Sequence, residues 1–335
     1  MSERERFLRQ FDALNVKNFQ EFALALFQYQ SKYNLVYKRY IDALNVNVDA
    51  ISDLCSIPFL PIEFFKQHKI ITKPEGIESF DAIFESSGTG SGVTSRHFVP
   101  DLKHYLSHAQ DIFERQYNGL KDFVILALLP SYLEREGSSL VAMIDDFIKI
   151  TESSDSGFYL NDLDELVQKV KELKASNSRK KIIIWGVSFA LLDLAENHKV
   201  DFSNCIIMET GGMKGRRKEI TREELHRILC NGLNVNTIHS EYGMTELLSQ
   251  CYSSGNGVFQ PSHSMKILVR EVNDPFSIKF SSKRSGGLNV IDLANIDSCA
   301  FIETQDVGFV NEDGSFKVQG RFDNSDIRGC NLMVF

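Results

Sequence analysis

Small and hydroxyl-bearing residues cluster in residues 84–99, FESSGTGSGVTSRHFV, directly after an apolar stretch. A loop of this composition exposes backbone N–H groups and hydroxyls, which together can surround a polyphosphate. It is not a Walker A motif, because Val93 stands where that motif needs its second glycine after Gly88. The segment is therefore a candidate phosphate-binding loop, and a surface loop without a ligand is the alternative.

A second candidate site follows in residues 239–250, HSEYGMTELLSQ, at the end of an apolar strand-like stretch. Tyr242 and Gly243 at the carboxyl end of a strand would let an aromatic base approach closely. Thr245 and Glu246 place a hydroxyl, which can donate to phosphate, beside a carboxylate, which can hold a magnesium ion. The alternative is a loop leading into a helix, with Thr245 as the N-cap and Glu246 in the first turn.

Residues 303–335 carry a third set of polar side chains. Asp306 lies two residues before Gly308 in a predicted turn, where its carboxylate could bind ribose hydroxyls. Arg321 follows Gly320 and could pair with ribose or phosphate. The alternative is a β-hairpin in which Asp306 and Arg321 form a surface salt bridge.

Cys330 has polar, basic surroundings, and the neighbouring Arg328 would favour its thiolate form. A buried, unreactive thiol is the alternative. His97, which follows Arg96, could contact a carboxylate or phosphates, but a single histidine is more often a structural hydrogen-bonding residue. The remaining histidines show no spacing typical of a metal site. They include His104, His108, His226 and His263.

The elements that must position these residues follow from the apolar pattern. Helical spacing over residues 1–50 predicts a helical cap, and two prolines among large apolar residues predict an extended, packed segment over residues 56–70. Beyond it, short apolar runs alternate with amphipathic stretches, as in a mostly parallel sheet covered by helices. After residue 261, short alternating strands predict a small, mainly antiparallel β subdomain. The predicted α/β architecture has a cap at 1–55, a core at 56–260 and a β-rich subdomain at 261–335.

Composition excludes several classes of protein. With 43% hydrophobic and 24% charged residues among 335, the chain has the composition of a folded globular protein. A net charge of −8 with interspersed signs argues against a nucleic-acid partner. The charged N-terminus and the lack of a long apolar stretch predict a cytoplasmic protein that does not interact with membranes. Six cysteines without a C-x-x-C pair predict reduced thiols rather than disulfides or a zinc site.

Taken in order, the SSGT-type loop, the YGxTE segment, a TGD-like segment and a GR-D segment resemble the adenylate-forming superfamily of acyl- and aryl-CoA ligases. Within that superfamily, the sequence most resembles the acyl-protein synthetases of the LuxE type. The segments that carry this resemblance are IPFLPIEFFK, SSGTGSGVTSRH, ETGGMKGRRKEI, EYGMTELLSQ and GRFDNSDIRGCNLMV. They extend from residue 57 to the end of the sequence and cover most of it.

The resemblance implies ATP and Mg²⁺ as cofactors and a role for each matching residue. The pyrophosphate portion of ATP would be held by Ser86, Ser87, Gly88, Thr89 and Gly90. The adenine would be contacted by Gly211, Gly212, Tyr242 and Gly243. Thr245 would contact the α-phosphate and Glu246 would hold Mg²⁺. Asp306 would bind the ribose with Arg321 beside it, and Cys330 would accept the acyl group.

Three departures from the superfamily pattern bear on these roles. The loop usually carries a lysine soon after its glycines, but residues 91–93 are Ser-Gly-Val, which leaves Arg96 as the nearest cation. Gln305 replaces the glycine of the TGD-like segment, directly before Asp306. The larger ligases carry a C-terminal lid domain with a catalytic lysine, whereas this sequence ends at Phe335, so we expect a large adenylate-forming domain without a separate lid.

The function implied by the resemblance is the activation of a carboxylic acid, expected to be a fatty acid, as an acyl-adenylate and its transfer to a protein thiol. The expected catalytic residues are Cys330, Thr245 and Arg96. The expected partner is an acyl carrier protein or a reductase. Two alternatives remain: a minimal acyl- or aryl-CoA ligase whose lid comes from another chain, and a nucleotide-binding scaffold with reduced catalysis.

Overall fold

The N-terminal region is helical. The computed structural model describes residues 1–73, 77, 79–86, 93–129, 137–160, 162–176, 179–198, 200–213 and 216–322. The chain opens with α1 (Glu3–Phe11), α2 (Phe19–Tyr33) and α3 (Leu35–Ala43). A capping box begins α1: the Ser2 hydroxyl accepts from the N–H of Glu5, whose carboxylate accepts from the N–H of Ser2. The helices predicted from the apolar spacing are confirmed.

Two polar contacts fasten this helical region to the C-terminal half of the chain. The buried side-chain amide of Gln30 donates to the carbonyl O of Asn295 (2.7 Å) and accepts from the N–H of Ala300 (2.9 Å). Arg4 forms a bidentate ion pair with Asp297, with both N–O distances 2.7 Å. Because a buried amide must find partners for both its donor and its acceptor, these contacts fix the position of the helices.

The segment after the helices is only partly extended. It contains β1 (Leu60–Pro61), α4 (Phe64–Gln67), β2 (Ala82–Glu85) and β3 (Arg96–Val99). The extension predicted over residues 56–70 is confirmed at β1 and wrong beyond it, where a helical turn begins at Phe64. No proline follows Pro61 in this stretch, so the backbone N–H of Lys66 is free to donate to the carbonyl of Glu63 at 2.9 Å. The turn buries Phe65 completely.

A mostly parallel sheet covered by helices forms the middle of the chain, as predicted. Its strands are β4 (Phe123–Leu128), β5 (Gly157–Phe158), β6 (Lys181–Val187), β7 (Cys205–Thr210), β8 (His239–Tyr242) and β9 (Cys251–Ser253). The helices are α5 (Leu102–Tyr117), α6 (Ser139–Ile150), α7 (Leu163–Ala175), α8 (Ser188–Asn197) and α9 (Arg222–Leu233). The strand order is β5-β4-β6-β7-β8-β9, parallel up to β8, with β9 antiparallel to β8. Every residue of β4 is buried, which its continuous apolar run predicts.

The C-terminal strands form a second, mainly antiparallel sheet, which is also as predicted. They are β10 (Met265–Arg270), β11 (Ile278–Lys279), β12 (Ser282–Asp292), β13 (Phe301–Val310) and β14 (Phe316–Arg321). The sheet order is β1-β13-β12-β10-β11, and β14 pairs with the part of β13 that β1 does not use. The strand β1, from far earlier in the sequence, pairs in parallel with β13.

The predicted turn at Asp306 is wrong, because this residue lies inside β13. Side chains along β13 alternate between buried and half-buried positions, as in a half-covered strand. The chain reverses instead at residues 311–315, where Gly314 takes a positive φ of 83°.

Apolar side chains of both sheets and of the N-terminal helices form one continuous core. Trp185 is fully buried in it, with the rings of Phe113 and Tyr252 centred 5.9 Å and 6.0 Å away. Within the described ranges, no helix combines the length and the apolar character that a bilayer crossing needs.

Candidate active site

The carboxyl ends of β7 and β8 bring two buried glutamates together. Thr210 pairs with Glu241 across the strands, and its hydroxyl donates to the Glu241 carboxylate. Glu209 accepts from the hydroxyl of Ser188 (2.8 Å) and from Arg222 (3.1 Å). Residues at the carboxyl ends of parallel strands are where α/β sheets place their ligands. Sequence analysis did not single out this pair, although a charged residue ending an apolar strand is a usable signal.

The two glutamates differ in protonation. Burial raises the pKa of Glu241 to about 7, and the nearby charge of Glu209 adds to that effect. Burial also opposes ionisation of Glu209, but Arg222 and His226, together with the Ser188 hydrogen bond, outweigh it and lower its pKa. The strand ends therefore hold one carboxylate and one carboxyl group that titrates near neutrality.

Tyr242, Asp306 and Arg321 form one contact group across the two sheets. The Tyr242 hydroxyl donates to Asp306 Oδ2 at 2.7 Å, and Arg321 Nε lies 3.1 Å from Asp306 Oδ1. Asp306 and Arg321 are directly opposite each other in the hairpin of β13 and β14. The alternative of a hairpin salt bridge thus describes the geometry correctly, but the pair is not a surface pair, because the Asp306 side chain is only 8% exposed against 63% for Arg321.

The segment after Tyr242 is held by the strand β3. His97 Nδ1 lies 2.8 Å from the carbonyl O of Thr245, and burial lowers the pKa of His97 to about 4, so the ring is neutral and donates through Nδ1. The carboxylate of Glu246 is buried and hydrogen-bonds to the side chain of Ser95. Burial is also the main cause of its raised pKa. The alternative in which Thr245 caps a helix is wrong, since a turn and then β9 follow.

Ser86 and Ser95 close the base of the glycine-rich loop. The N–H of Ser86 donates to the carbonyl O of Ser95 at 3.0 Å, and the N–H of Ser95 donates to the Ser86 hydroxyl at 2.9 Å. Arg96 begins β3 on the exposed side, opposite Glu85. The other loop residues predicted to bind phosphate lie outside the described residues. They are Ser87, Gly88, Thr89 and Gly90.

The predicted glycines border the same strand ends. Gly211 follows β7 with a φ of 73°, and its carbonyl accepts from the hydroxyl of Ser188 at 3.3 Å. Gly212 has open space where a Cβ would stand, whereas a Cβ on Gly243 would lie 2.4 Å from Glu241 Oε1. The acyl-acceptor candidate, Cys330, lies outside the described residues.

Direct contacts therefore join residues from all three polar segments of the sequence. The loop base contacts Glu246 through Ser95, β3 contacts Thr245 through His97, and Tyr242 contacts Asp306. Arg96 begins β3, whereas Gly211 and Gly212 follow β7 in a different sheet, and none of the three makes a direct contact with this group among the described residues.

Three solved structures show what this arrangement resembles. ATP-bound MatB from Rhodopseudomonas palustris aligns over 75% of this chain and 50% of its own, with a TM-score of 0.54 and 15% identity. The O-succinylbenzoate coenzyme A synthetase MenE from Bacillus subtilis, in complex with AMP, aligns over 75% and 51%, with a TM-score of 0.51 and 17% identity. A 2-hydroxyisobutyryl-CoA ligase in complex with 2-HIB-AMP and CoA aligns over 92% and 76%, with a TM-score of 0.63 and 10% identity. The chain has the fold of adenylate-forming enzymes.

This likeness confirms the predicted fold class. The chain spans about half the length of MatB and MenE. No protein-family model and no curated protein matches the sequence. The LuxE type therefore stays a prediction.

Proposed function

We propose that this protein activates a carboxylic acid with ATP as an acyl-adenylate and passes the acyl group to a thiol. The observation that carries the proposal is the convergence of sequence-remote polar motifs at one edge of the adenylate-forming fold. Tyr242 reaches Asp306, while Ser95 and His97 reach the Thr245–Glu246 pair. A scaffold without chemistry would not need a buried carboxylate and a neutral histidine at this edge.

The Glu246 carboxylate fits a magnesium ion. It is a buried oxygen donor, and although the charges of Arg321 and Lys66 act to lower its pKa, no lysine or arginine among the described residues forms an ion pair with it. A buried carboxylate is costly unless it is paired, and oxygen donors are what Mg²⁺ prefers. The bound ion would neutralise charge on the phosphates of ATP. The solved MatB structure contains ATP, and one solved MenE structure contains ATP and a magnesium ion.

The nucleotide would lie along the carboxyl ends of β7 and β8. The adenine would approach the strand ends at Gly212, where the space around the backbone is open, with Gly211, Tyr242 and Gly243 beside it. Asp306 would accept from the ribose hydroxyls, and the exposed guanidinium of Arg321 is available to ribose or phosphate. Ser86 and Arg96 at the base of the glycine-rich loop would receive the pyrophosphate portion.

In the proposed reaction, a carboxylate oxygen of the acid attacks the α-phosphorus of ATP, and the bond to pyrophosphate breaks. A thiolate sulfur then attacks the acyl carbon, and the bond to the phosphate oxygen of AMP breaks. The protein's contribution to the first step is to orient the two substrates and to stabilise the negative charge that develops on the phosphates. The Thr245 hydroxyl, the Arg96 guanidinium and a magnesium ion held by Glu246 would do this. The neutral His97 fixes the Thr245 carbonyl and with it the direction of this segment.

Cys330 is our proposed acyl acceptor. The five cysteines in the described part of the chain have raised pKa values, and burial is the largest cause for each of them. A thiol held in its protonated form is a weak nucleophile, so none of these five has the setting of an acyl acceptor. Together with the LuxE-type resemblance, this favours Cys330, a fatty acid as substrate, and a reductase or acyl carrier as the next partner.

The second candidate function is that of a minimal acyl- or aryl-CoA ligase. The observation in its favour is that the solved structures of similar fold include CoA ligases, one of them in complex with CoA. The two functions share the adenylation step and differ in the thiol that receives the acyl group.

Acid-dependent exchange of labelled pyrophosphate into ATP tests the shared step, with a panel of short, long and aromatic acids. We expect exchange with at least one acid and its loss in Glu246→Gln, which removes the charge but keeps the shape. The matched control is Glu312→Gln, an exposed residue of the turn before β14, which should keep the exchange. Exchange that survives Glu246→Gln, or no exchange with any acid, would overturn the proposal.

Labelled acid and ATP then distinguish the two thiols. A protein thioester is indicated if label stays on the denatured protein and is released by hydroxylamine. This label should disappear in Cys330→Ser and remain in Cys55→Ser. Label that instead moves onto added CoA, with unlabelled protein, indicates the CoA ligase.

A further inference from the structure

A cluster of histidines and one aspartate lies away from the candidate active site. His104, His108 and Asp111 occupy successive turns of α5, and His263 comes from the segment just before β10. The ligand atoms of His108, Asp111 and His263 all lie within 4.8 Å of one another. We propose that this cluster binds a divalent transition-metal ion of the zinc class, because two imidazoles and a carboxylate are donors that suit such ions.

Hydrogen bonds occupy Nε2 of His108, so a metal ion would have to bind this ring through Nδ1. Its Nε2 lies 3.0 Å from the hydroxyl of Ser249 and 2.9 Å from that of Ser264. The Ser249 hydroxyl donates to Asp292 Oδ1 at 2.6 Å, so its oxygen is left to accept from the Nε2–H of His108. Among the described residues Nδ1 has no partner. Metal-binding histidines are characteristically held in this way by a hydrogen bond at the other ring nitrogen.

His263 offers a buried nitrogen that the described protein atoms do not satisfy. Its Nδ1 makes no hydrogen bond and lies 3.8 Å from Asp111 Oδ2. His104 Nε2 is likewise buried without a partner, and the His104 and His108 rings stack at 6.3 Å. Leaving a buried polar atom unpaired is costly, and an ion bound by His263 would remove that cost for its Nδ1. A water would supply a fourth ligand.

The Asp111 carboxylate favours a bound cation, and a neighbouring guanidinium opposes it. The opposing group is Arg115, whose Nε lies 2.6 Å from Asp111 Oδ2. Arg115 therefore competes with the metal for the carboxylate.

The bound ion would tie α5 to the segment that leads into β10. Phe11 of α1 covers the cluster, with its ring centred 4.9 Å from that of His108 and 6.5 Å from that of His263. The Asp111 side chain is 43% exposed, which leaves an entry path from solvent. The ion would thus connect two elements of the fold beneath a third, away from the proposed adenylation site.

Zn²⁺ titration of the full chain against a chromophoric chelator tests the proposal, with the Co²⁺ absorption spectrum as a report on coordination. We expect one ion per chain. His263→Ala and Asp111→Asn should each weaken binding by at least about tenfold, since even groups that only orient a ligand have effects of about 10- to 100-fold. The matched control is His68→Ala, which removes an exposed histidine directly after α4 and should leave binding unchanged.

Arg115→Ala distinguishes a metal site from a merely structural cluster, because removal of the competing cation should tighten binding, by up to about fivefold. Asp111→Asn changes an exposed side chain and serves as the test if His263→Ala does not fold. The proposal is overturned if Zn²⁺ binds no tighter than about millimolar, or if binding is unaffected by both Asp111→Asn and Arg115→Ala.

Discussion

The hydrogen bond from Tyr242 to Asp306 joins the two sheets at the candidate site, and Tyr242→Phe removes it without removing the ring. Both residues are buried, and the O–O distance is 2.7 Å. The phenylalanine ring should keep the packing that Tyr242 makes against Phe316 (5.3 Å) and Phe259 (5.8 Å). The substitution therefore isolates one hydroxyl.

The cost of this substitution follows from the charge of its partner. A hydrogen bond to a charged group contributes about 1.5–3 kcal/mol, so we expect the free energy of unfolding to fall by about 2 kcal/mol at pH 7. Burial raises the pKa of Asp306, while Arg321 and Tyr242 oppose that rise. Without the hydroxyl, the pKa of Asp306 rises further. The Tyr242 hydroxyl stabilises the ionised form of Asp306, so its loss lowers the free energy of unfolding most at a pH where Asp306 is ionised. The effect of the substitution should therefore shrink as the pH falls and Asp306 becomes protonated.

Urea unfolding at several pH values between 4.5 and 7.5 measures this effect, with the fluorescence of the single tryptophan, Trp185, as the signal. Tyr252→Phe is the matched control. Its ring is equally buried, but its hydroxyl has no hydrogen-bond partner among the described residues, so its removal should cost little at any pH. A loss of stability in Tyr242→Phe that matches the loss in Tyr252→Phe, or that does not change with pH, would show that the hydroxyl does not stabilise an ionised Asp306.

Three further predictions concern the same framework. Burial raises the pKa of Glu241 from 4.5 to about 7, so the wild type should lose stability as the pH rises through this window. In Glu241→Gln, the fall in Tm between pH 5 and pH 8 should be smaller. An equal fall in the wild type and the variant would contradict the prediction. Gly243→Ala places a Cβ 2.4 Å from Glu241 Oε1. Because the Glu241 carboxyl is buried and held by the Thr210 hydroxyl, it cannot move aside freely, and the substitution should cost about 1–3 kcal/mol in urea unfolding, whereas Gly212→Ala, with open space around it, should change little. Arg4→Ala breaks a half-buried bidentate ion pair and should lower the free energy of unfolding by about 1–2 kcal/mol. Lys38→Ala breaks an exposed ion pair on α3 and should lower it by almost nothing. Equal effects would argue against the role of Arg4 in holding the N-terminal helices to the rest of the chain.

Local pattern was enough to predict the secondary structure around the site. The apolar runs that became β4, β6 and β7 are too short and too continuous to be amphipathic helices, and α9 follows from its own period and its Thr221 cap. The mainly antiparallel character of the last strands follows from their alternation and turn residues. These features depend on neighbours in sequence, which is why one sequence suffices to predict them.

Local composition does not identify every element. The sequence predicts a turn at Asp306 because Gly308 follows it, but the strand continues through that glycine, which packs its backbone closely against Lys317 of β14. The helix considered after Thr245 does not form, because the segment passes beneath β3 and continues into β9. In both cases a partner strand distant in sequence decides the conformation.

The order of the elements, the three polar segments and their resemblance to adenylate-forming enzymes can all be read from the amino-acid sequence. Which of the residues meet depends on the packed fold: Tyr242 contacts Asp306, Ser95 contacts Glu246, and His108 lies near His263. Residues far apart in sequence become neighbours through strand order and register, which depend on how all the elements pack together. Burial, which sets the protonation of Glu241 and His97, depends on that same packing.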